Sequence, residues 1–188
     1  MSKPLSEMSL EELWSLFPIK LVEHNPDWKE WYREEEKLLV ESISTSNIER
    51  ISHIGSTSIE GLIAKPTIDI LLEITDSCNL NHLVENVEKV GYILEKQPNK
   101  PAPHMMFMKG YTENGFDDKV FHLHIRYKGD WDELYFRDYL INHKEIAKEY
   151  AQLKLSLKEK YEHNRDAYTD AKTEFVKKYS SIGKESFK

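Results

Sequence analysis

Asp69, His122 and His124 have the side-chain types and spacing for chemistry, since a carboxylate beside two imidazoles can hold a cation or move a proton. Side chains on a strand alternate between faces with a period of two. In Thr67-Ile68-Asp69-Ile70-Leu71-Leu72-Glu73-Ile74 the face of Ile68, Ile70, Leu72 and Ile74 is the core side, so Asp69, Leu71 and Glu73 share the other. The run Val120-Phe121-His122-Leu123-His124-Ile125-Arg126-Tyr127 divides the same way, with His122, His124 and Arg126 opposite its apolar face. If one sheet holds both strands, acids and histidines emerge together, as a metal or phosphate site requires. A sheet face is also polar for solubility alone. On that account Glu73 is expected to be solvated and Arg126 to pair with a carboxylate across the sheet.

Upstream, Gly55 followed by Ser56, Thr57 and Ser58 offers free backbone N–H groups and three hydroxyls, the ingredients for holding phosphate oxygens. His53 precedes this turn and Lys65 follows it, and Pro66 imposes an extended approach to the Asp69 strand. The plainer readings are a helix cap for Ser56 and a surface charge for Lys65. Near the carboxy terminus, Tyr168 and Lys172 lie four apart on one helix face, where they could close over a ligand or, for Tyr168, fill the core.

The elements that must position these groups follow from periodicity. Ser9 with Glu12 reads as a capping box opening a short helix that ends before Pro18, and Ile19 to Glu23 reads as a brief strand. Trp28, Trp31, Leu38 and Leu39 recur at helical spacing, Ile48 to Ile54 reads as a strand, and Leu80, Leu83, Val84, Val87 and Val90 stripe a helix closed by Gly91. Met105 to Lys109 and Lys119 to Tyr127 suggest a hairpin. From about Trp131 the chain reads as helical, including one long segment from Ile146 to Tyr179 striped by Tyr150, Leu153, Leu157 and Tyr161. The order points to an α/β (α+β) fold, a mixed β-sheet flanked by helices with a long C-terminal helical segment. At 188 residues it fits a single domain, with a core over about residues 19–128 and a helical part over about 131–180.

Composition sets limits. A net charge of -7 with no dense Lys/Arg cluster argues against a nucleic-acid partner, and 39% hydrophobic with 31% charged residues describes a soluble protein, not a membrane one. The lone Cys78 and the acidic Glu11 and Glu12, where a signal peptide would be apolar, point to a cytoplasmic location.

The run His53-Ile54-Gly55-Ser56-Thr57-Ser58-Ile59-Glu60-Gly61-Leu62-Ile63-Ala64-Lys65-Pro66-Thr67-Ile68-Asp69-Ile70 resembles the signature of the GrpB family, a mostly bacterial group of nucleotidyltransferase-like fold. Phe121-His122-Leu123-His124-Ile125 is similar to its His-Leu-His strand, Phe136-Arg137-Asp138-Tyr139-Leu140 to the following helix, and Asp166, Ala167-Tyr168 and Ala171-Lys172 to its last helix. Glu60 stands where the family usually has proline. The resemblance implies a superfamily that transfers a nucleoside monophosphate from a nucleoside triphosphate to a hydroxyl or amine acceptor. There a Gly-Ser turn precedes a strand with two carboxylates at alternate positions, a third acid comes from a neighbouring strand, and two Mg²⁺ ions stabilise the attacking and leaving oxygens.

Here Leu71 occupies the second acid position, Glu73 lies about 6.6 Å farther along at the usual rise per residue, and His122 or His124 stands in for the third acid. Three readings follow. The first is an active, metal-dependent nucleotidyltransferase with one metal on Asp69, Mg²⁺, Mn²⁺ or a transition metal, where His122 or His124 completes the metal site or acts as base on the acceptor. Gly55, Ser56, Thr57, Lys65 and Lys172 then take the triphosphate. The second is a nucleotide-binding or regulatory module without the chemistry. The third is a metal enzyme of another class built on a two-histidine, one-carboxylate site.

Overall fold

A computed structural model describes residues 3–95, 100 and 103–186. The two strands that carry the candidate acid and imidazoles lie side by side at the centre of one five-stranded sheet, ordered β1-β2-β5-β4-β3. These are β1 (Ile48–Ile54), β2 (Thr67–Ile74), β3 (Ile93–Glu95), β4 (Met105–Thr112) and β5 (Gly115–Tyr127). Only β2 and β5 run parallel; the other neighbouring pairs are antiparallel. In the β2–β5 register Asp69 stands opposite His122, Leu71 opposite His124 and Glu73 opposite Arg126, so the shared parity expected from the sequence holds.

On the other face Ile68, Ile70, Leu72 and Ile74 pack with Phe121, Leu123 and Ile125 beneath α2 (Trp28–Ile43) and α3 (Leu80–Lys89), which contribute Trp28, Leu39, Ile43, Leu83 and Val87. The helix α3 starts where the Asn79 side chain accepts from the Asn81 and His82 amides and stops before Gly91 at φ 94°, the end its sequence announced. A short α1 (Leu10–Leu16) carries the Ser9/Glu12 capping box.

The polar face is covered as well, by α4 (Asp132–Asn142), α5 (Lys144–Tyr161), α6 (Arg165–Asp170) and α7 (Thr173–Ser186). Leu134 packs on Ile54 and Leu71, while Phe136, Leu140, Tyr150 and Tyr179 form a second core against Ile59 and Leu62. The face that carries the candidate residues is therefore an interior between two layers.

Two expectations are corrected and one is refined. Ile19 to Glu23 is not a strand: among the described residues only the isolated bridge between Val22 and Ala64 forms there. The helical segment from Ile146 to Tyr179 is present and divides into three helices. The Asn164 side chain accepts from the Ala167 amide and so caps a new helix, and the Glu162 carbonyl accepts instead from Ile19. A further turn at Ala171 and Lys172 separates α6 from α7. Glu73 is not solvated but wholly buried, accepting from Arg50 and from the Gly129 amide at 3.0 Å. The strand β3 carried no readable signal, being three residues long. Among the described residues no helix is long and apolar enough to cross a membrane.

Candidate functional site

The site is built outward from Asp69. Gly55 ends β1 at φ 72°, a left-handed conformation that favours glycine, and a Cβ there would collide with the Asp69 carboxylate. The turn therefore brings its backbone against the acid. The hydroxyls of Ser56, Thr57 and Ser58 then take separate paths. Thr57 is buried and donates to the Thr67 carbonyl at 3.1 Å, and Ser58 donates to the Gly55 carbonyl at 2.6 Å. Both hold the turn rather than face a ligand. Ser56 accepts from the Lys154 ammonium at 3.0 Å.

Hydrogen-bond direction fixes the state of the central histidine. His122 Nδ1 lies 3.2 Å from Asp69 Oδ1, and its Nε2 lies 2.7 Å from the Tyr111 hydroxyl, which accepts from Arg165 at 3.0 Å. A carboxylate only accepts, so Nδ1 carries the proton; burial disfavours the imidazolium, so Nε2 keeps its lone pair and accepts from Tyr111. The result is a one-way chain from Arg165 through Tyr111 and His122 to Asp69. His124 Nε2 stands 3.9 Å from the same Asp69 oxygen. Burial by itself would raise the Asp69 pKa, but the hydrogen bond from His122 and the nearness of His124 hold the carboxyl well below its usual range. Its side chain keeps 28% of its exposure, so a ligand can reach it.

Around this acid gathers an excess of positive charge. Lys154 is 2% exposed on α5 and donates to the Ile63 carbonyl as well as to Ser56. Lys172 and Lys65 place their ammonium groups 4.4 and 5.8 Å from the ring centre of buried Tyr168. Among the described residues no carboxylate lies within ion-pair distance of Lys65, Lys154 or Lys172. Burial, followed by repulsion from neighbouring cations, lowers Lys154 and Lys65 from 10.5 to about 7, and burial lowers Lys172 to about 8. The Tyr168 hydroxyl is buried without a partner.

The structure thus brings together Gly55, Ser56, Lys65, Asp69, His122, His124, Tyr168 and Lys172. It sets apart three others. His53 stacks on Tyr32 at 4.8 Å and faces Thr57 Oγ1 at 3.0 Å. Because Thr57 donates to Thr67, His53 donates from Nε2, and burial pushes its pKa down to about 4, so it braces the turn as a neutral ring. Glu73 and Arg126 sit about 13 Å from Asp69 along the strands at the usual rise. There Arg126 donates to Glu133 of α4 at 2.7 Å and lies over Trp131, instead of pairing across the sheet.

Sequence reading missed Lys154, Tyr111 and Arg165. Lys154 lies four residues after Tyr150, on the stripe that faces the core, which was the available signal. Strict alternation would send Tyr111 to the face of Phe107 and Lys109. A register shift between Lys109 and Tyr111, at Gly110 with φ 88°, turns it onto His122 instead.

The fit to a divalent metal is poor. His122 has both nitrogens engaged, one donating to the acid that would share the ion, and Leu71 offers no donor at the adjacent position. Among the described residues no three His, Cys, Asp or Glu side chains form a group able to hold a metal.

Comparison with known proteins agrees with this architecture. A family model described as GrpB protein matches residues 18–181. The glutamate-rich protein GrpB of Alkalihalophilus pseudofirmus is 34% identical over 161 residues, covering 83% of this chain and 90% of that protein. The crystal structure of the conserved protein GrpB from Enterococcus faecalis superposes with a TM-score of 0.77 at 29% identity, over 89% of this chain and 99% of that one. The fold extends further: the structure of the GLD-2/RNP-8 complex aligns at 16% identity with a TM-score of 0.50, over 80% of this chain and 58% of that one.

Proposed function

The chain belongs to the GrpB family, and on that premise we propose that it binds a nucleoside triphosphate and transfers the nucleoside monophosphate to a hydroxyl or amine acceptor. The observation that carries this reading is the Asp69–His122–Tyr111 chain, which leaves a neutral imidazole able to take a proton beside a glycine-serine turn and unpaired lysines. In the transfer the acceptor oxygen or nitrogen bonds to the α-phosphorus, the bond from that phosphorus to the bridging oxygen breaks, and pyrophosphate leaves. The acceptor proton passes through the Tyr111 hydroxyl to His122 Nε2, and Asp69 stabilises the imidazolium that results. Ser56 and the turn amides hold phosphate oxygens, while Lys65 and Lys172 oppose the charge that grows on the leaving pyrophosphate.

The test is incubation with triphosphates labelled at the α-phosphate and a panel of alcohol, amine and protein acceptors. Label should move to an acceptor, and His122→Gln and Asp69→Asn should each slow that transfer at least 100-fold while nucleotide still binds. A second reading, a nucleotide-binding module without transfer, is favoured by the full burial of Leu71 where a second acid would act. It expects ATP or CTP to bind without turnover and Asp69→Ala to leave affinity nearly intact. Failure of every nucleotide to bind sinks both.

A further inference from the structure

Phosphoryl chemistry needs positive charge around the phosphates, which metal ions supply where paired carboxylates hold them. In this pocket the balance is reversed. Lys65 and Lys172 lie near enough to Asp69 to feel its charge, Lys154 and Arg165 crowd these two lysines, and the carboxylate itself accepts from His122 with His124 close by. A metal ion placed here would stand among ammonium groups and lack a second acid. Lysines that are wholly or half buried without an ion-pair partner are costly to keep charged, and among the described residues Lys154 and Lys172 meet aromatic rings and a neutral hydroxyl oxygen. An anion of several charges would satisfy all of them at once. The ring that Lys65 and Lys172 lie over belongs to Tyr168, whose buried hydroxyl has no partner and so is a free donor beside them. Beside the cluster lies a cleft of ≈ 180 Å³ whose charged lining is Lys20, Lys65 and Arg165 together with Asp117 and Asp118.

We infer that the pocket takes its triphosphate free of metal, with Lys65, Lys154, Lys172 and Arg165 occupying the role that divalent ions play elsewhere in this fold. The inference rests on the nucleotide reading above for what the triphosphate is attached to, and the experiment separates the two. Calorimetric titrations of the full chain would use ATP and inorganic tripolyphosphate, each in EDTA and each in excess Mg²⁺. Both ligands should bind in EDTA as tightly as in Mg²⁺ or more tightly, because chelation by Mg²⁺ removes charge the lysines would otherwise meet. Lys154→Met and Lys172→Gln should each weaken binding about 10-fold or more. Lys172, at the turn between α6 and α7, is the variant that keeps the test decisive if the buried Lys154 change unfolds the protein.

Binding that falls at least 10-fold in EDTA would overturn the inference and leave the nucleotide reading standing. Binding of tripolyphosphate without ATP would keep the metal-free site and remove the nucleotide. Absence of binding by either ligand in either condition removes both.

Discussion

A carboxylate at position 71 would complete the acid pair on which two-metal transfer depends, so the surroundings of Leu71 decide what one substitution can restore. The side chain is fully buried against Ile54 and Leu134. Leu71→Asp should therefore cost about 3–5 kcal/mol, the scale of an uncompensated buried charge, without creating Mg²⁺ affinity. Denaturant unfolding and calorimetry check the two halves, and a gain of Mg²⁺ binding would show that the pocket tolerates a metal. The lysines make a second prediction at this scale. Their folded values of about 7 to 8 lie below the 10.5 they have when unfolded, so between those limits the unfolded chain holds more protons. Stability of the free protein must then rise with pH across that window. Oligophosphate needs the charged amines, so its affinity must fall over the same range. Urea unfolding and titration at pH 7 and pH 9 should move in opposite directions; parallel trends would mean the lysines do not titrate as a group.

Among the elements, the β4–β5 hairpin decides most. Its register shift at Gly110 turns Tyr111 out of the core face and onto His122. A Cβ at Gly110 would strike the Lys119 backbone at a φ of 88°, so Gly110→Ala should destabilise by about 1–3 kcal/mol and weaken ligand binding, since Tyr111 and Arg165 lose their shared position. Unfolding curves with titration test this, and a variant that binds normally would detach Tyr111 from the site. The hairpin itself was legible from alternation, but the irregularity was not, because it depends on how four residues of one strand accommodate one of the other. The helices divide similarly. The capped ends of α1 and α3 are local chemistry and could be read, whereas the break at Asn164 answers to Ile19, far away in sequence.

At the scale of the molecule, the candidate pocket joins two layers: Gly55, Asp69, Tyr111 and His122 come from the sheet side, Lys154, Arg165, Tyr168 and Lys172 from the helices. A ligand bound between them ties the layers together. At 100 times its dissociation constant it should add about 2.7 kcal/mol of stability. Hydrogen exchange should slow in α6 and α7 as well as around the Gly55 turn. Protection confined to the turn would mean that the helical cations take no part.

The sequence by itself determined that Asp69, His122 and His124 share a face, because strand parity is a two-residue rule and two adjacent strands obey it together. It also determined the Gly-Ser turn and the apolar face under α2 and α3. Tertiary structure alone decided that the polar face is roofed, that Glu73 and Arg126 serve other partners, and that Lys154 meets the Ser56 turn and Arg165 the Tyr111 hydroxyl. A helix stripe says which side of a helix is buried but not what it is buried against. The charge that defines this pocket therefore appears only when the carboxy-terminal helices are laid across the sheet.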